Sequence, residues 1–554
     1  MTRHIGAVRP TDLHPSIPMQ EGAAPQAVFD PLSLAPAGLW LSENVTLAGN
    51  LVNSWNDTSG NAHHVTQTFA RRPIWTDDVL NGHPTVTFDG SNDILGPTLY
   101  TRTHPRTVLA IFDSTALVNG TYILMGNTSD SGILYLDAGG TIIMYDGTQF
   151  ISRDRPANGW HAALMKFDGA SSEFSFDGDT PKLGTCGQTS MGGICFGAAS
   201  TGGLSAAFAS VAFEDIGRVI TRDEEKDLLR WASSEYNLAL SAGRWIKGDT
   251  AAPWRWRDGP FCAVINGRLY MCGGWNTDLG GEAPGFHNYT TAEVWSAPLT
   301  DLTDWQQEPD APWERRHLAA HCMHNGHLVI AGGDTYQGHY QRDMWEFDGT
   351  TWTQLTADWG AGIGDRMFMS MWSLNGVLYL GGGQTLEVGI AQTIYSDLHS
   401  WDPVSGTWSL VTNVAPWQGG CMCGPGAVSG NYLYVVLPAI YGVGLTPESY
   451  DPGIYRWSVA DGWETVTADC GLLPRKYATA AFLGLRMWTW SGYNAGPTNL
   501  NDCHYSDDGG VSWTELTDTP WLSTHAAGVG VTADAIYHVA GNVGLLGCWY
   551  LESV

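Results

Sequence analysis

The sequence lacks several features that would place the chain in common functional classes. No charged N-terminal region followed by an apolar segment opens the chain, so we predict no ordinary secretory signal. No run of about 18 apolar residues occurs, so the sequence predicts no membrane span. The ten cysteines include no C-x-x-C pair, which argues against a zinc site of the usual ligand spacing.

The chain is also poor in basic residues. It carries 27 Lys and Arg against 56 Asp and Glu, a formal net charge of −29. A charge of this sign repels phosphate groups and anionic membranes, so we predict no nucleic-acid partner. No heptad repeat supports a coiled coil, and the number of assembled copies, including a symmetric homo-oligomer, stays open.

The second half contains an internal repeat. Six tryptophans each open a short strand-like run after a turn: Trp245, Trp305, Trp352, Trp408, Trp463 and Trp513. Their spacings are 60, 47, 56, 55 and 50 residues, and four strands per unit at such a period predict a β-propeller. The last unit lacks its own outer strand, whereas residues 245–247 precede the first unit. We therefore predict that residues 245–247 complete the sixth unit and close the ring.

The repeat residues resemble a known family. Residues 312–317 (PWERRH) and 325–333 (NGHLVIAGG), followed by Trp345 and Trp352, are similar to a kelch repeat. The resemblance implies a six-bladed kelch-like propeller over residues 241–554. Residues 506–513 also fit the Asp-box of sialidase-like propellers, which we interpret as a structural hairpin because Asp, Gly and Ser suit a tight turn.

The first half has a different pattern. Short alternating runs separated by Gly, Asn and Asp predict an all-β sandwich or jelly roll over residues 37–240. Residues 39–41, 55–61 and 87–93 resemble the laminin G-like, concanavalin A-like lectin fold. Thr221 and Glu224 form a capping box that starts a closing helix. Residues 1–36 contain six prolines and are predicted to be an extended anchor segment, or to be ordered only against a partner.

The predicted ligand-binding residues lie at one end of the propeller. Loops between second and third strands, and the segments that lead into first strands, share that end, and function concentrates on such loops. Aromatic rings there would stack on sugars while guanidinium groups hold carboxylates or hydroxyls. The aromatic and His candidates are Trp275, His287, Tyr289, Tyr336, His339, Tyr340, Tyr441 and Tyr493, and the Arg candidates are Arg315, Arg316, Arg366 and Arg475. Alternatively, each Arg bonds neighbouring carbonyls and ties the blades together.

Two smaller features concern the first half. Asp57, Asp89 and Asp93 could supply oxygen ligands to calcium, although Asp beside Gly also forms turns. Cys186 and Cys195 could bridge a loop, or could stay reduced in a chain without a secretion signal.

Together the modules resemble bacteriophage tail-fibre or spike proteins. The resemblance implies a virion-associated receptor-binding protein that recognises a host-surface glycan, with an extracellular location as the alternative. A polysaccharide-degrading glycosidase or sialidase-like depolymerase is a second interpretation, and a kelch protein-interaction scaffold is a third. No spacing pairs Glu282, Glu387 and Glu448 as a glycosidase requires, so we assign no catalytic residue.

Overall fold

The computed structural model describes most of the chain. The described residues are 30–36, 38–68, 70–89, 93–115, 117, 121–125, 132–187, 191–197, 209–276, 289–336, 339–387, 389–417, 426–443, 445–496, 498–517, 519–542 and 547–554. Within these ranges the protein is all-β apart from a 3₁₀ turn (Pro31–Leu34) and one helix, α1 (Arg222–Tyr236). The predicted all-β class is confirmed.

Sixteen strands precede the helix. In chain order they are β1 (Gly38–Ala48), β2 (Leu51–Asp57), β3 (Val65–Thr66), β4 (Ile74–Leu80), β5 (His83–Thr87), β6 (Ile94–Arg102), β7 (Arg106–Asp113), β8 (Thr121–Met125), β9 (Gly132–Leu136), β10 (Thr141–Tyr145), β11 (Phe150–Asp154), β12 (Trp160–Phe167), β13 (Gly169–Phe176), β14 (Lys182–Cys186), β15 (Met191–Gly197) and β16 (Ala209–Ile216).

These strands form two antiparallel sheets. The large sheet has the order β1-β2-β4-β5-β16-β7-β12-β13-β14 with β3 beside β2, and the small sheet has the order β11-β10-β9-β8-β15-β6. Alternate side chains of β7, such as Val108 and Phe112, pack between the two sheets with Trp40 and Phe196. Period-two alternation therefore buries one face of each sheet against the other.

Helix α1 covers the outer face of the large sheet. The predicted capping box is present, because Thr221 accepts a hydrogen bond from the Glu224 backbone and the Glu224 carboxylate accepts one from the Thr221 backbone. Leu228, Leu229 and Tyr236 form one apolar stripe that packs on the sheet. This burial holds a helix whose length alone would be marginal in water.

Thirty strands follow the helix. They are β17 (Arg244–Asp249), β18 (Phe261–Ile265), β19 (Arg268–Cys272), β20 (Val294–Pro298), β21 (Gln306–Glu308), β22 (Ala320–His324), β23 (His327–Ala331), β24 (Asp334–Tyr336), β25 (His339–Tyr340), β26 (Met344–Phe347), β27 (Trp352–Thr356), β28 (Ser370–Leu374), β29 (Val377–Gly381), β30 (Leu398–Asp402), β31 (Thr407–Thr412), β32 (Val428–Ser429), β33 (Tyr432–Val436), β34 (Ala439–Ile440), β35 (Ser449–Tyr450), β36 (Ile454–Ser458), β37 (Gly462–Thr467), β38 (Arg475–Lys476), β39 (Thr479–Leu483), β40 (Arg486–Trp490), β41 (Tyr493–Asn494), β42 (Cys503–Ser506), β43 (Thr514–Glu515), β44 (Gly528–Val531), β45 (Ala535–Val539) and β46 (Cys548–Glu552).

Most of these strands form six four-stranded antiparallel sheets, numbered here in chain order. Sheet 1 is β18-β19-β20-β21, sheet 2 is β22-β23-β26-β27, sheet 3 is β28-β29-β30-β31, sheet 4 is β32-β33-β36-β37, sheet 5 is β39-β40-β42-β43 and sheet 6 is β44-β45-β46-β17. Trp245 pairs with Leu551 across β17 and β46. The predicted pairing of residues 245–247 with the last unit is therefore present.

Consecutive sheets pack face to face. One apolar cluster lies between each neighbouring pair from sheet 1 to sheet 6. A further cluster joins sheet 6 to sheet 1, where Val539 and Cys548 contact Cys262 and Met271. The Arg257 carbonyl also accepts a hydrogen bond from the Gly541 backbone at 3.2 Å. Sheet 6 thus packs against sheet 1.

A buried ion cluster, which we call the junction network, links helix α1 to strands β17 and β46. Its members are Lys166, Glu173, Arg222, Glu225, Lys226, Arg244 and Glu552. Arg244 is fully buried between Glu225 and Glu552, and its Nη2 lies 2.8 Å from Glu552 Oε1. The network therefore ties the first half of the chain to sheet 6.

The structure corrects the predicted anchor segment at its end. Residues 1–29 lie outside the described residues, but Pro31–Leu34 form a 3₁₀ turn, and buried Leu34 packs into the core beneath helix α1. The described end of this segment is therefore part of the folded first half. Among the described residues, no helix is long and apolar enough to span a membrane.

Candidate functional site

Four of the arginines that lead into first strands form the same buried clamp. In each case Nη1 donates to the carbonyl oxygen 16 residues downstream, and the guanidinium binds an acidic side chain from the third-strand side. The clamps are Arg257 with Gly273 and Glu293, Arg316 with Gly332 and Asp343, Arg366 with Gly382 and Asp397, and Arg475 with Ser491 and Asp502. The clamp joins the second and third strands of one sheet at the end where the chain enters the first strand.

The glycine pairs explain how the carbonyl reaches the arginine. Gly332 and Gly333 both have positive φ, 67° and 85°, which turns the chain out of strand β23. At the clamp of sheet 5, Ser491 adopts the same left-handed conformation with φ of 58°. A residue with a Cβ carries a conformational cost there, which the buried Arg475 contacts offset.

These contacts correct part of the predicted ligand set. Arg316, Arg366 and Arg475 have at most 1% exposure, and each guanidinium is bidentate to an Asp. A guanidinium that is buried and already bidentate to a carboxylate presents no accessible donor pair to a ligand. The three arginines therefore act as clamps, and the alternative interpretation from the sequence describes them. Arg315, in contrast, is exposed.

At the same end of the sheets as the clamps, one residue from each of sheets 1, 2, 3, 5 and 6 lies in the innermost position of its sheet. Gly259, Leu318, Phe368, Tyr477 and Ala526 all have positive φ. Backbone hydrogen bonds run from Gly259 to Ala526, from Leu318 to Gly259 and from Phe368 to Leu318. Four of the six sheet ends therefore meet through their innermost residues.

The predicted aromatic residues divide between two groups around these innermost residues. Tyr340, Tyr441 and Tyr493 pack on the apolar cluster formed by Leu318, Phe368 and its neighbours. Trp275 lies 5.8 Å from Tyr289 and 6.5 Å from His317, measured between ring centroids. All five of these predicted rings are half-buried. Their contacts with Leu318, Phe368 and His317 place them near the innermost residues of the sheets.

The remaining predicted residues are less informative. His287 lies outside the described residues, and for Tyr336 the structure describes only the backbone, which pairs with His339. His339 approaches the carboxylate of Glu314, with Nε2 and Oε1 3.1 Å apart.

A set of polar side chains, which we call the inner-face cluster, lies beside the aromatic rings. It comprises Asp258, His317, Asp334, Glu448, Lys476, His525 and Asn542. His317 Nδ1 is 2.7 Å from Asp334 Oδ1, and Asp258 Oδ2 accepts a hydrogen bond from Asn542 at 3.0 Å. His525 Nε2 is 3.4 Å from Asp258 Oδ2. Asp258 is only 8% exposed, and its Oδ1 has no hydrogen-bond partner in the described structure.

Lys476 forms the cationic part of the cluster. Its ammonium donates to Glu448 and lies 4.3 Å and 5.1 Å from the ring centroids of Tyr441 and Tyr493. Two aromatic faces and one carboxylate therefore hold a cation that is 6% exposed.

Neighbouring groups shift the pKa values of three residues in the inner-face cluster. Burial alone would lower the pKa of His317, but the carboxylates of Asp334 and Asp258 outweigh it and leave this pKa above 6.5. Burial would raise the pKa of Asp258, but the contacts with His525, His317 and Asn542 leave it below its ordinary value. Burial would likewise raise the pKa of Glu448, which Lys476 and Tyr450 nevertheless hold below its ordinary value. Neighbouring side chains thus favour the charged forms of Asp258, His317 and Glu448.

The predicted calcium ligands do not gather into a metal site. The Asp57 carboxylate accepts hydrogen bonds from the backbones of Leu39, Ser59 and His63. Asp89 and Asp93 each accept a hydrogen bond from the backbone of the other. Among the described residues, no group of three or more His, Cys, Asp and Glu is placed to hold a metal ion. These aspartates therefore shape turns, as the alternative from the sequence states.

The Asp-box also has local partners. The Asp508 carboxylate accepts from the backbones of Val511 and Ser512 and from the hydroxyl of Ser506. Burial would raise the pKa of Asp508, but the Ser512 contacts lower it to about 2. The motif closes the hairpin between β42 and β43. Cys186 and Cys195 are both buried, and no disulfide joins them.

Sequence reasoning missed Asp258, Asp334, Lys476 and Asn542 of the inner-face cluster. Asp258 and Lys476 differ in chemistry, but each directly follows a clamp arginine, as His317 does. That shared position is the signal that could have found them, because the residue after each of these three arginines lies beside the aromatic rings.

Comparisons with known proteins add little to this geometry. No protein-family model matches the chain, and no curated protein matches its sequence. Among solved structures, one described as "Structure of YjhT" matches with a TM-score of 0.41 and 12% identity, covering 54% of this chain and 94% of that chain. A likeness at this level does not define the fold or the function of this chain.

Proposed function

We propose that the protein is a virion-associated receptor-binding protein that recognises a host-surface glycan. In this proposal the first half is a laminin G-like jelly roll, and the second half is a closed six-bladed kelch-like propeller. The contact of sheet 6 with sheet 1 and the β17–β46 pair support the closed ring. Of the predicted anchor, residues 1–36, the part before the folded turn at Pro31–Leu34 contacts other virion structural proteins in this proposal.

One observation carries the proposal: half-buried aromatic rings lie beside the hydrogen-bonding side chains of the inner-face cluster. The rings of Trp275, Tyr441 and Tyr493 offer faces for the apolar side of a sugar. Beside them, Asp258 Oδ1 is a buried acceptor with no hydrogen-bond partner among the described residues, and a sugar hydroxyl that reached it would satisfy it. Loops on a rigid scaffold hold both groups in place before the ligand arrives, which lowers the entropy cost of binding.

The pKa values of the inner-face cluster favour glycan binding over glycoside hydrolysis. A glycosidase needs a carboxylic acid with a raised pKa as proton donor and a second, ionised carboxylate. Here the pKa values of Asp258 and Glu448 are both below their ordinary values. The same groups suit a site that holds hydroxyls without breaking a bond.

The test is a glycan array followed by calorimetric titration with the best-bound glycan. Trp275→Ala and Tyr441→Ala should each weaken binding by about 0.5–1.5 kcal/mol, roughly two- to tenfold in Kd. Asp258→Asn keeps the shape of the side chain and should also weaken binding, because it replaces one acceptor by a donor. Tyr432→Ala is the matched control, since Tyr432 begins strand β33 beside the opposite hairpin and bonds Asp461 there.

Other outcomes would contradict the proposal. Binding that is equally sensitive to Tyr432→Ala would exclude the inner face. Release of reducing sugar that depends on Asp258 or Glu448 would favour the depolymerase. Absence of glycan binding together with capture of a defined protein by the same face would favour the kelch scaffold.

A further inference from the structure

A cleft of about 1200 Å³ lies where the first half of the chain meets sheet 6. Its walls include strands β11 and β14, which are edge strands of the small and large sheets, and strand β17, the outer strand of sheet 6. Thr517, Thr519 and Pro520 form another part of the lining. The cleft is separate from the inner-face cluster, none of whose residues lines it.

Lysine is rare in this protein, and its positions are informative. The chain has only five lysines: Lys166, Lys182, Lys226, Lys247 and Lys476. Three are held in ion pairs with glutamates. The other two, Lys182 and Lys247, are exposed and have no ion-pair partner among the described residues, and both line the cleft. The two available ammonium groups of a strongly acidic protein thus face one concave space.

The other charges of the cleft do not neutralise these lysines. Three of its four carboxylates are bonded to basic side chains: Glu173 to Arg222, Asp177 to His161 and Asp179 to Arg153. The fourth, Asp154, is exposed. Arg155 donates to backbone carbonyls, including that of Leu117 at 3.1 Å, so its charge is not balanced by a carboxylate. The cleft therefore carries local positive charge, which concave walls reinforce.

The remaining lining indicates the kind of anion. Hydroxyl groups line the cleft at Thr141, Ser152, Thr250, Thr517 and Thr519. The volume exceeds the roughly 300–1,000 Å³ of ordinary small-molecule pockets, so an extended ligand fits better than a single ion. Nucleic acid is disfavoured, because its dense charge would meet the net −29 of the protein.

We propose that this cleft is a second glycan site, which binds a short acidic oligosaccharide with its carboxylate or sulfate groups on Lys182 and Lys247. The hydroxyl side chains hydrogen-bond the sugar hydroxyls between the anionic groups. This site does not depend on the glycan site at the inner face, and either can fail without the other.

The experiment uses the full chain and three defined hexasaccharides. Hexagalacturonic acid carries carboxylates, a heparin-derived hexasaccharide carries sulfates, and maltohexaose is neutral. We expect at least one acidic hexamer to bind and maltohexaose not to bind. Lys182→Glu and Lys247→Glu should each weaken that binding at least about fivefold, and raising sodium chloride from about 50 mM to about 500 mM should weaken it further.

Arg230→Glu is the matched control, because it reverses a charge on the exposed side of helix α1, away from the cleft. Trp275→Ala, at the inner face, should leave acidic-hexamer binding unchanged. Lysine acetylation of the unmodified protein, read by mass spectrometry, gives a second measurement that needs no variant. The bound hexamer should protect Lys182 and Lys247 from acetylation.

Four results would overturn the proposal: equal binding of maltohexaose, binding indifferent to both lysines, acetylation of both lysines unchanged by the hexamer, or tighter binding of an oligothymidylate than of either acidic hexamer.

Discussion

The junction network allows one prediction to be worked out from charge balance. Four cations, Lys166, Arg222, Lys226 and Arg244, face three carboxylates, Glu173, Glu225 and Glu552. Glu225→Gln leaves four cations against two carboxylates in a buried space, whereas Arg244→Met leaves three of each. The two substitutions remove partners of the same buried ion pair but leave different charge balances.

The imbalance decides which substitution costs more. Removing one member of a buried ion pair costs about 3–5 kcal/mol of unfolding free energy when a charge is left uncompensated. Glu225 is 1% exposed and contacts three cations, so Glu225→Gln should fall in that range. Arg244→Met leaves three cations against three carboxylates and fills much of the volume, so we expect about 1–3 kcal/mol. Urea denaturation measures both, with exposed Arg230→Met as the control.

Acid provides an independent check. Burial would raise the pKa of Glu225, but Arg244, Arg222 and Lys166 lower it to about 2 from 4.5. A carboxyl whose folded pKa is depressed contributes stability that is complete above its unfolded pKa and is lost as pH falls toward the folded value. The stability difference between Glu225→Gln and the unmodified protein should therefore hold above pH 4.5 and shrink toward pH 2. A loss for Glu225→Gln no larger than that for Arg244→Met would refute this reasoning.

Three further predictions concern separate parts of the chain. Arg475→Met removes a clamp and should cost about 3–5 kcal/mol of unfolding free energy, whereas exposed Arg315→Met should cost less than about 0.5 kcal/mol; equal values in urea denaturation would contradict the clamp. Asp508→Ala should cost about 1–2 kcal/mol in the same assay and leave calorimetric glycan binding intact, because its carboxylate serves only the hairpin. His317 should titrate above 6.5 by NMR, so its contribution to stability is complete below pH 6.5 and is lost as pH rises through the folded pKa; a value at or below 6.5 would exclude the ion pair with Asp334.

The strand pattern of the second half could be read from the sequence because its signals are local. Trp345, Trp401 and Trp457 occupy third strands as expected, and the glycine pairs end second strands. The pairing of β17 with β46 followed from counting strands. These features depend on alternation and turn residues, which a single sequence displays directly.

The role of the arginines could not be read in the same way. Asp343 lies 27 residues after Arg316, and the Gly332 carbonyl lies 16 residues after it. Neither separation matches the periodicity of a helix or a strand. The contact forms only when the sheet folds, so it cannot be recognised in the sequence. The aromatic rings stay candidates for ligand binding, because a half-buried loop ring needs no specific protein partner, whereas the three buried arginines are already bonded within the protein. Asp258 and Lys476 were missed because their importance comes from position rather than residue type.

The pair β17–β46 also affects how the protein is made. Arg244 and Glu552, which are opposite each other in this pair, lie 308 residues apart in the chain. At synthesis rates of about 5–20 residues per second, β17 leaves the ribosome roughly 15–60 s before its partner. During that interval β17 of the nascent chain has an unpaired edge. This edge can pair with a strand of another chain that is being made on the same polysome. Translation speed and temperature should therefore govern the yield of correctly assembled protein.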